Sequence, residues 1–426
     1  MIKRLFRSAS VKNAGWLIFG RIGQMVISLV VGLLTARYLG PANYGLINYA
    51  TAYTAFFMAF CTLGINSLLV KEFIDNPHEE GKIIGSTLLL RGISSVLSAI
   101  IIVCLVSILD AGERTTIVVT ALCSIGLVFN VFETFNYWFQ SRLQSKVTAI
   151  VLLVGYIFTS IYKVVLLILQ MRVEFFAFST SLDYIIVGVL LLLCYKKYGG
   201  GRLRFSKSTS TRILSKSVHF ILPSVMVTIY GYVDKFMLKQ MLSETEVGYY
   251  ATATAVCGMW SFVLTAIIDS MYPSIMEAHK NDTTLYEKKN RQLYAIVFYF
   301  AVAVSTVFCL FGRYIVLLLY GEKYMPAVAP LRVVTWYTAF SYLGVARNAW
   351  IVCEDKQRYL KYIYVFAAIC NVILNCIFIP LWGATGAAAA SLITQMLTTI
   401  VVPFFIKNLR HNSIMMIEGI LFRGIK

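Results

Sequence analysis

The residues in this sequence best suited to chemistry are charged side chains within an apolar stretch. Residues 217–248 are apolar enough to cross a bilayer, yet they carry Asp234, Lys235 and Lys239. A charge at membrane depth costs about 2.5–3.5 kcal/mol on insertion scales, so such residues pair with one another or face a water-filled cavity. Two interpretations follow. Asp234 and Lys235 could form an ion pair that only locks helices together, or they could face a cavity that receives a charged ligand.

Lys235 belongs to a polar face of the helix that this stretch predicts. Ser224, Thr228, Gly231 and Lys235 recur at spacings of four, three and four residues. Side chains at these spacings lie on one side of an α-helix. The spacing favours the cavity over the lock for Lys235 and leaves both interpretations open for Asp234.

A similar polar face occurs in the first apolar stretch, where Arg21, Gln24 and Ser28 are spaced for one side of a helix. Arginine and lysine bind phosphate oxygens through charge-assisted hydrogen bonds, so cations deep in several helices predict a cavity for a phosphate-bearing substrate. Two asparagines one helical turn apart could line this cavity or join helices. The candidate substrate-binding residues are Arg21, Gln24, Arg91, Lys163, Lys235, Asn371 and Asn375.

Carboxylates within the apolar stretches are candidate ion-coupling residues. They could pair with the cations or bind a coupling proton or sodium ion, and we expect no other cofactor and no metal site. The four candidates are Glu133, Asp183, Asp234 and Asp269. Arg332 and Arg347, by contrast, lie near helix ends, and we interpret both as snorkelling to the membrane interface.

The composition is that of a membrane protein with many spans. Hydrophobic residues make up 59% of the 426 residues and charged residues only 14%, against about 25% charged in soluble domains. Nine cysteines lie mostly in apolar stretches without CxxC spacing, and four histidines form no metal-ligand pattern. The net charge of +18 comes mostly from short loops, so nucleic acid is not an expected partner.

Twelve apolar spans follow one another along the chain, which predicts an all-α polytopic membrane protein. If the N-terminus is cytoplasmic, the inner segments carry 26 lysines and arginines and the outer loops only four. The positive-inside rule therefore places both termini in the cytoplasm. The predicted spans are 15–36, 45–70, 83–109, 116–139, 147–170, 174–195, 218–242, 248–275, 293–319, 327–352, 360–380 and 384–406.

A basic, Gly- and Ser-rich segment at 196–216 divides these spans into two sets of six, and we predict a flexible linker there. It separates an N-terminal lobe, 1–195, from a C-terminal lobe, 217–426. Residues 35–53 align with 238–256 at an offset of 203. Because each lobe has an even number of spans, six, both repeats have the same orientation in the membrane. We therefore expect a pseudo-two-fold axis along the membrane normal, with a site between the halves.

Three phrases of the sequence resemble the Wzx-type polysaccharide flippases. They are LLTARYLGPANYGLINYA, YVDKFMLKQMLSETEVGYYATA and LLYGEKYMPAVAPLRVV, at 33–50, 232–253 and 318–334. The D-K-x-M-L element at 234–238 is the most specific part. These flippases form the polysaccharide-transporter branch of the multidrug/oligosaccharidyl-lipid/polysaccharide (MOP) exporter superfamily, and the resemblance covers essentially the whole chain.

The resemblance implies a MATE-like, V-shaped transporter of the bacterial inner membrane that works by alternating access. Its substrate would be an undecaprenyl-pyrophosphate-linked oligosaccharide, the repeat unit of O-antigen or a similar surface polysaccharide, flipped from the cytoplasmic to the periplasmic leaflet. A cationic central cavity would receive the headgroup while the lipid tail stays in the bilayer. A monomer is expected, with a polysaccharide polymerase and a chain-length regulator as further candidate partners.

Two other functions compete with the flippase. A multidrug/cation antiporter of the same superfamily needs an acidic or apolar cavity, whereas the deepest charges here are at least as often cationic. A membrane glycan polymerase or glycosyltransferase needs a large outer loop with catalytic residues, and the predicted outer loops are short. No phosphate-binding G-x-x-x-x-G-K-[ST] motif is present either. We therefore do not expect an enzyme.

Overall fold

The fold is described by a computed structural model for residues 9–424, with side chains from residue 23 onward except Met25, Val26, Ser67 and Pro223. All regular secondary structure in this part of the chain is helical. The helices are α1 (Ala9–Thr62), α2 (Asn66–Asp75), α3 (Glu80–Leu109), α4 (Arg114–Asn130), α5 (Thr134–Ser141), α6 (Ser145–Ile168), α7 (Val173–Lys197), α8 (Lys207–Met241), α9 (Glu244–Asn281), α10 (Thr283–Tyr320), α11 (Val328–Cys353), α12 (Leu360–Met396), α13 (Val402–Phe405) and α14 (Arg410–Ile420).

Two glycines break long helices into pairs of spans. Gly40 (φ 71°, ψ 172°) interrupts α1, and Gly383 (φ 55°, ψ −132°) interrupts α12. A side chain is strained at these φ values, and Pro41 removes a backbone donor directly after the first break. With the two arms of each broken helix counted separately, each of the twelve predicted spans falls mostly on helix, although the predicted span 45–70 crosses from the end of α1 at Thr62 into α2 and α14 lies outside all twelve.

Seven helical stretches of the described chain are long and apolar enough to cross a membrane by length and hydropathy, and a bent pair in α8 makes an eighth. One of the seven, Gln357–Phe405, contains both arms of α12. Two spans depart from regular α-helix. A 3₁₀ turn at Val131–Glu133 separates α4 from α5, and a π-helical turn at Leu397–Val401 separates α12 from α13.

The predicted flexible linker is partly ordered. Helix α8 begins at Lys207, inside the predicted linker. Arg212 and Lys216 form ion pairs with the buried Glu72 of α2, which explains why this basic segment is held as a helix. The backbone N–H of Arg204 also donates to Gly81 O at 3.0 Å. The prediction of a flexible segment is therefore wrong for 207–216.

The chain divides into two compact units. The first comprises the residues up to Leu39 together with Tyr49–Thr228, and the second comprises Gly40–Asn48 together with the chain from Ile229 onward. Each unit has its own apolar core. Ile65, Phe135 and Trp138 belong to the core of the first. The lobe boundary that we placed at 196–216 stays a prediction.

Large apolar residues of the second unit pack around α9, α10, α11 and α14. Leu264, Leu293, Tyr294, Trp350 and Met415 are buried in this core. Helix α14 is fixed by the ion pair of Arg291 Nε with Glu418 Oε2, at 2.7 Å. Such cores hold the polar residues described next at fixed positions within each unit.

Candidate functional site

Asp234 is the centre of a buried hydrogen-bonded cluster in the second unit. The residue lies on α8 and is only 3% exposed. Its Oδ1 accepts from Asn375 Nδ2 at 2.7 Å. Its Oδ2 accepts from Ser391 Oγ at 2.6 Å and from the Tyr250 hydroxyl. The donors come from α9 and from both arms of α12, so one carboxylate connects three helices.

Asn371 extends this Asp234 cluster. Asn371 Oδ1 accepts from Asn375 Nδ2 at 3.1 Å, and Asn371 Nδ2 donates to Ser391 Oγ at 3.3 Å. The turn at Gly383 brings Ser391 back beside the two asparagines. Asn375 Oδ1 is buried and has no hydrogen-bond partner in the described structure. A free amide oxygen beside an ionisable carboxylate suits a proton or a hard cation.

Lys235 makes a different contact from its neighbour. Its Nζ donates to Asn48 Oδ1 at 3.0 Å and lies 5.7 Å from the centre of the Tyr232 ring. Asn48 belongs to the segment Gly40–Asn48, which packs with the second unit although it follows a helix of the first. Lys235 therefore holds this segment through Asn48 rather than through the ion pair with Asp234 that the lock interpretation assumed, and its predicted contact with substrate stays a prediction.

Arg91 is fully buried in the first unit, at the broken span. Its guanidinium donates to Asn130 Oδ1 at 2.7 Å, to Asn130 O at 3.3 Å and to Thr134 Oγ1 at 3.3 Å. Its Nη2 also lies 3.5 Å from Glu133 Oε2. These contacts surround the break between α4 and α5, and the one with Asn130 O satisfies a backbone carbonyl there. They support a positioning role for Arg91, and its predicted contact with substrate stays a prediction.

A cavity of about 310 Å³ lies inside the first unit beside this break. Three predicted residues, Gln24, Glu133 and Asp183, line it together. Asp183 Oδ1 accepts from Thr159 Oγ1 at 3.4 Å. The described first unit thus brings two of the four candidate carboxylates to one cavity wall.

Asp269 and Arg21 are two further candidates. Asp269 is exposed on α9 and is absent from the Asp234 cluster. The side chain of Arg21 lies outside the described residues. Their predicted roles remain predictions.

The interpretation of Arg347 as a snorkelling residue is wrong. Arg347 is 5% exposed, and its Nη1 donates to Thr398 O at 3.2 Å and to Thr399 O at 3.3 Å. These carbonyls belong to the π-helical turn, where the regular helical bonding is disturbed and an outside donor can be accepted. Arg332 of the same helix is exposed, as a snorkelling side chain would be.

Sequence reasoning missed several polar residues of these sites. Tyr250 and Ser391 donate to Asp234, and neither was among the candidate residues. Asn130 and Asn136 line the cavity with Glu133. Their spacing of three residues on each side of Glu133 was a readable signal, because residues three apart share a helical face.

Known proteins match the chain over nearly its whole length. A capsular polysaccharide biosynthesis protein, CapF of Staphylococcus aureus, is 20% identical and covers 94% of this chain and 100% of its own. The solved structure of the Lipid II flippase MurJ, in an inward closed conformation, matches with a TM-score of 0.73 at 14% identity and covers 95% of this chain and 91% of its own.

An inward-facing multidrug resistance MATE family transporter of the MOP superfamily matches with a TM-score of 0.68 at 14% identity. It covers 93% of this chain and 96% of its own. These likenesses confirm the predicted twelve-helix, two-lobe MATE-like fold. The model of the polysaccharide biosynthesis protein family matches residues 10–279, and the chain belongs to this family.

Proposed function

We propose that this protein flips an undecaprenyl-pyrophosphate-linked oligosaccharide, the repeat unit of O-antigen or a similar surface polysaccharide, from the cytoplasmic to the periplasmic leaflet. The observation that carries the proposal is the polar interior of both units, because intramembrane polar groups are costly and mark substrate or ion pathways. The names of CapF and of the Lipid II flippase MurJ support a lipid-linked glycan as cargo.

Transport of this headgroup needs a hydrated route. Phosphates and sugars cannot cross hydrocarbon at a tolerable free energy, because burying a charged group without a partner is prohibitively costly. A cationic, water-filled cavity that opens alternately to each side removes most of this barrier. Lys235, Lys163 and Arg21 are the cations that we assign to the phosphates of the headgroup.

The Asp234 cluster is our candidate for ion coupling. It offers a carboxylate, two asparagines and Ser391 in one buried place, and Asn375 Oδ1 is left with a vacant acceptor position. A proton or a sodium ion at Asp234 would change the charge at the meeting point of three helices. Such a change is a direct way to bias two conformations.

The test uses cells that lack this protein. Lipid-linked oligosaccharides are extracted, and surface polysaccharide is measured in parallel. We expect the surface polysaccharide to disappear while the lipid-linked unit accumulates facing the cytoplasm, and a plasmid copy of the gene to restore export. Normal surface polysaccharide combined with altered drug sensitivity would instead establish the antiporter that the likeness to the MATE transporter suggests.

A further inference from the structure

The cavity of the first unit has the size and the lining residues of a small-molecule site. Its volume of about 310 Å³ is at the lower end of the roughly 300–1,000 Å³ of ligand pockets. It is roughly ten times the ~30 Å³ that one water molecule occupies, so it is too large for a bare ion. Aromatic rings and hydrogen-bonding groups line the same cavity, namely Phe129, Tyr184, Asn136, Thr148, Glu133 and Asp183.

The broken span gives a second reason to expect a ligand here. Asn130 ends α4, and Glu133 closes the 3₁₀ turn that follows. Irregular backbone at membrane depth is tolerated only where protein buries it or where it lines a polar cavity. Discontinuous helices of this kind form substrate sites in transporters. Arg91 stabilises the break from the side, so the turn keeps a fixed shape next to the cavity.

Thr148 supplies an independent indication. It is 1% exposed and lines the cavity, yet its Oγ1 has no hydrogen-bond partner in the described structure. A buried hydroxyl without a partner costs free energy, so a ligand that bonds to it gains affinity. The hydroxyl can donate or accept, which suits another hydroxyl group.

The charges of this cavity favour an uncharged ligand. Glu133 lies beside Arg91, with 3.5 Å between Oε2 and Nη2. Asp183 Oδ1 accepts from the Thr159 hydroxyl at 3.4 Å. Glu133 thus already has a cation beside it, and Asp183 has a hydroxyl donor. Both carboxylates can accept further hydrogen bonds from hydroxyl groups, which suits an uncharged, hydroxyl-bearing ring.

Resting on the flippase function proposed above, we propose that this cavity binds one uncharged sugar ring of the carried oligosaccharide. The carboxylates and Thr148 would bond to ring hydroxyls, and Phe129 and Tyr184 would contact the apolar faces of the ring. A sugar held in the first unit, apart from the phosphates, gives the protein a means to select its glycan.

The experiment compares Thr148→Val with Thr120→Val. Both threonines are buried in the first unit, and neither hydroxyl has a partner among the described residues, but of the two only Thr148 lines the cavity. Thermal unfolding of the purified proteins is followed with methyl glycosides of glucose, galactose, mannose, rhamnose and N-acetylglucosamine. Sugars also stabilise proteins by exclusion, and this effect is common to all variants. The difference between variants therefore reports binding.

We expect at least one glycoside to stabilise the natural protein and Thr120→Val equally. The same glycoside should bind Thr148→Val with an apparent affinity about three- to tenfold weaker. Equal stabilisation of all three proteins, or none, overturns the proposal. A sodium-dependent shift that Thr148→Val removes also overturns it, because the cavity would then be an ion site.

Binding of sugar-free undecaprenyl pyrophosphate to the same proteins separates this proposal from the proposed function. Equal binding by all three supports a sugar contact that is distinct from the phosphate contacts. If none of the proteins binds this lipid while the glycoside difference persists, the flippase function fails and the sugar site stands. If Thr148→Val loses the lipid as well, the cavity is not specific for sugar and the proposal fails.

Discussion

The hydroxyl of Tyr250 is the contact of Asp234 that can be removed most cleanly. Tyr250→Phe deletes one donor to a buried carboxylate and preserves the ring. Hydrogen bonds to charged groups contribute about 1.5–3 kcal/mol, so we expect the variant to lose free energy of unfolding in that range. If Asp234 carries the coupling ion, transport by this variant should also depend on sodium or proton concentration differently from the natural protein. Denaturation in detergent and transport in vesicles measure the two effects.

Thr394→Val is the control for this change. Thr394 is also buried in the second unit, but its hydroxyl has no hydrogen-bond partner in the described structure. We expect its removal to leave stability unchanged or slightly higher, because an unpaired buried hydroxyl only costs free energy. Equal losses for both variants would mean that the bond to Asp234 is not what stabilises the cluster.

Lys235→Ala and Asn48→Ala together decide between the two interpretations of the lysine. If Lys235 only holds the segment Gly40–Asn48, both variants lose the same bond and should have similar transport. If Lys235 contacts substrate, we expect Lys235→Ala to abolish transport with folded protein retained, and Asn48→Ala to keep most of it. Transport is measured as export of surface polysaccharide, with the amount of membrane-inserted protein as reference.

At the scale of helices, two glycines allow the segment Gly40–Asn48 and α9 to pack backbone against backbone. A Cβ at Gly248 would lie 2.1 Å from Pro41 O, and a Cβ at Gly45 would lie 1.8 Å from Glu244 O. These two glycines are the pair that the internal repeat aligns. The backbone cannot yield locally, so Gly248→Ala must displace the segment Gly40–Asn48 from α9.

We expect Gly248→Ala to lower the free energy of unfolding by about 1–3 kcal/mol, as overpacking usually does. Gly258→Ala in the same helix is the control, because a Cβ there meets nothing within 4 Å. That variant should gain about 0.5–1 kcal/mol, since glycine within a helix is less favourable than alanine. Thermal denaturation of both purified proteins tests the pair. A neutral Gly248→Ala would contradict the rigid contact.

Helices were predictable from this sequence, whereas contacts between them mostly were not. Apolar runs predict every span within residues 9–424, because burial in lipid depends on composition alone. The partners of Asp234 depend on the turn at Gly383, which brings Ser391 beside Asn371, and no local pattern specifies that approach. Arg347 shows the same limit. Its partners exist only because a π-helical turn forms 50 residues further along.

At the scale of the whole molecule, the distribution of positive charge predicts how the protein is inserted. Lysines and arginines number 26 in the predicted inner segments and four in the outer loops. This asymmetry orients a chain because positive loops near the ends of spans remain in the cytoplasm. A flippase must take its cargo from the cytoplasmic leaflet, so orientation and direction of transport are linked.

Single cysteines at Ala111 and Lys196 test this orientation. Both residues are exposed, and the predicted topology places them on opposite sides of the membrane. In a background from which the nine natural cysteines have been replaced, we expect an impermeant thiol reagent to label Ala111→Cys in intact cells. Lys196→Cys should react only after the membrane is opened. The reverse pattern would place the basic segments outside, where they could not receive an anionic headgroup from the cytoplasm, and the proposed direction of flipping would fail with them.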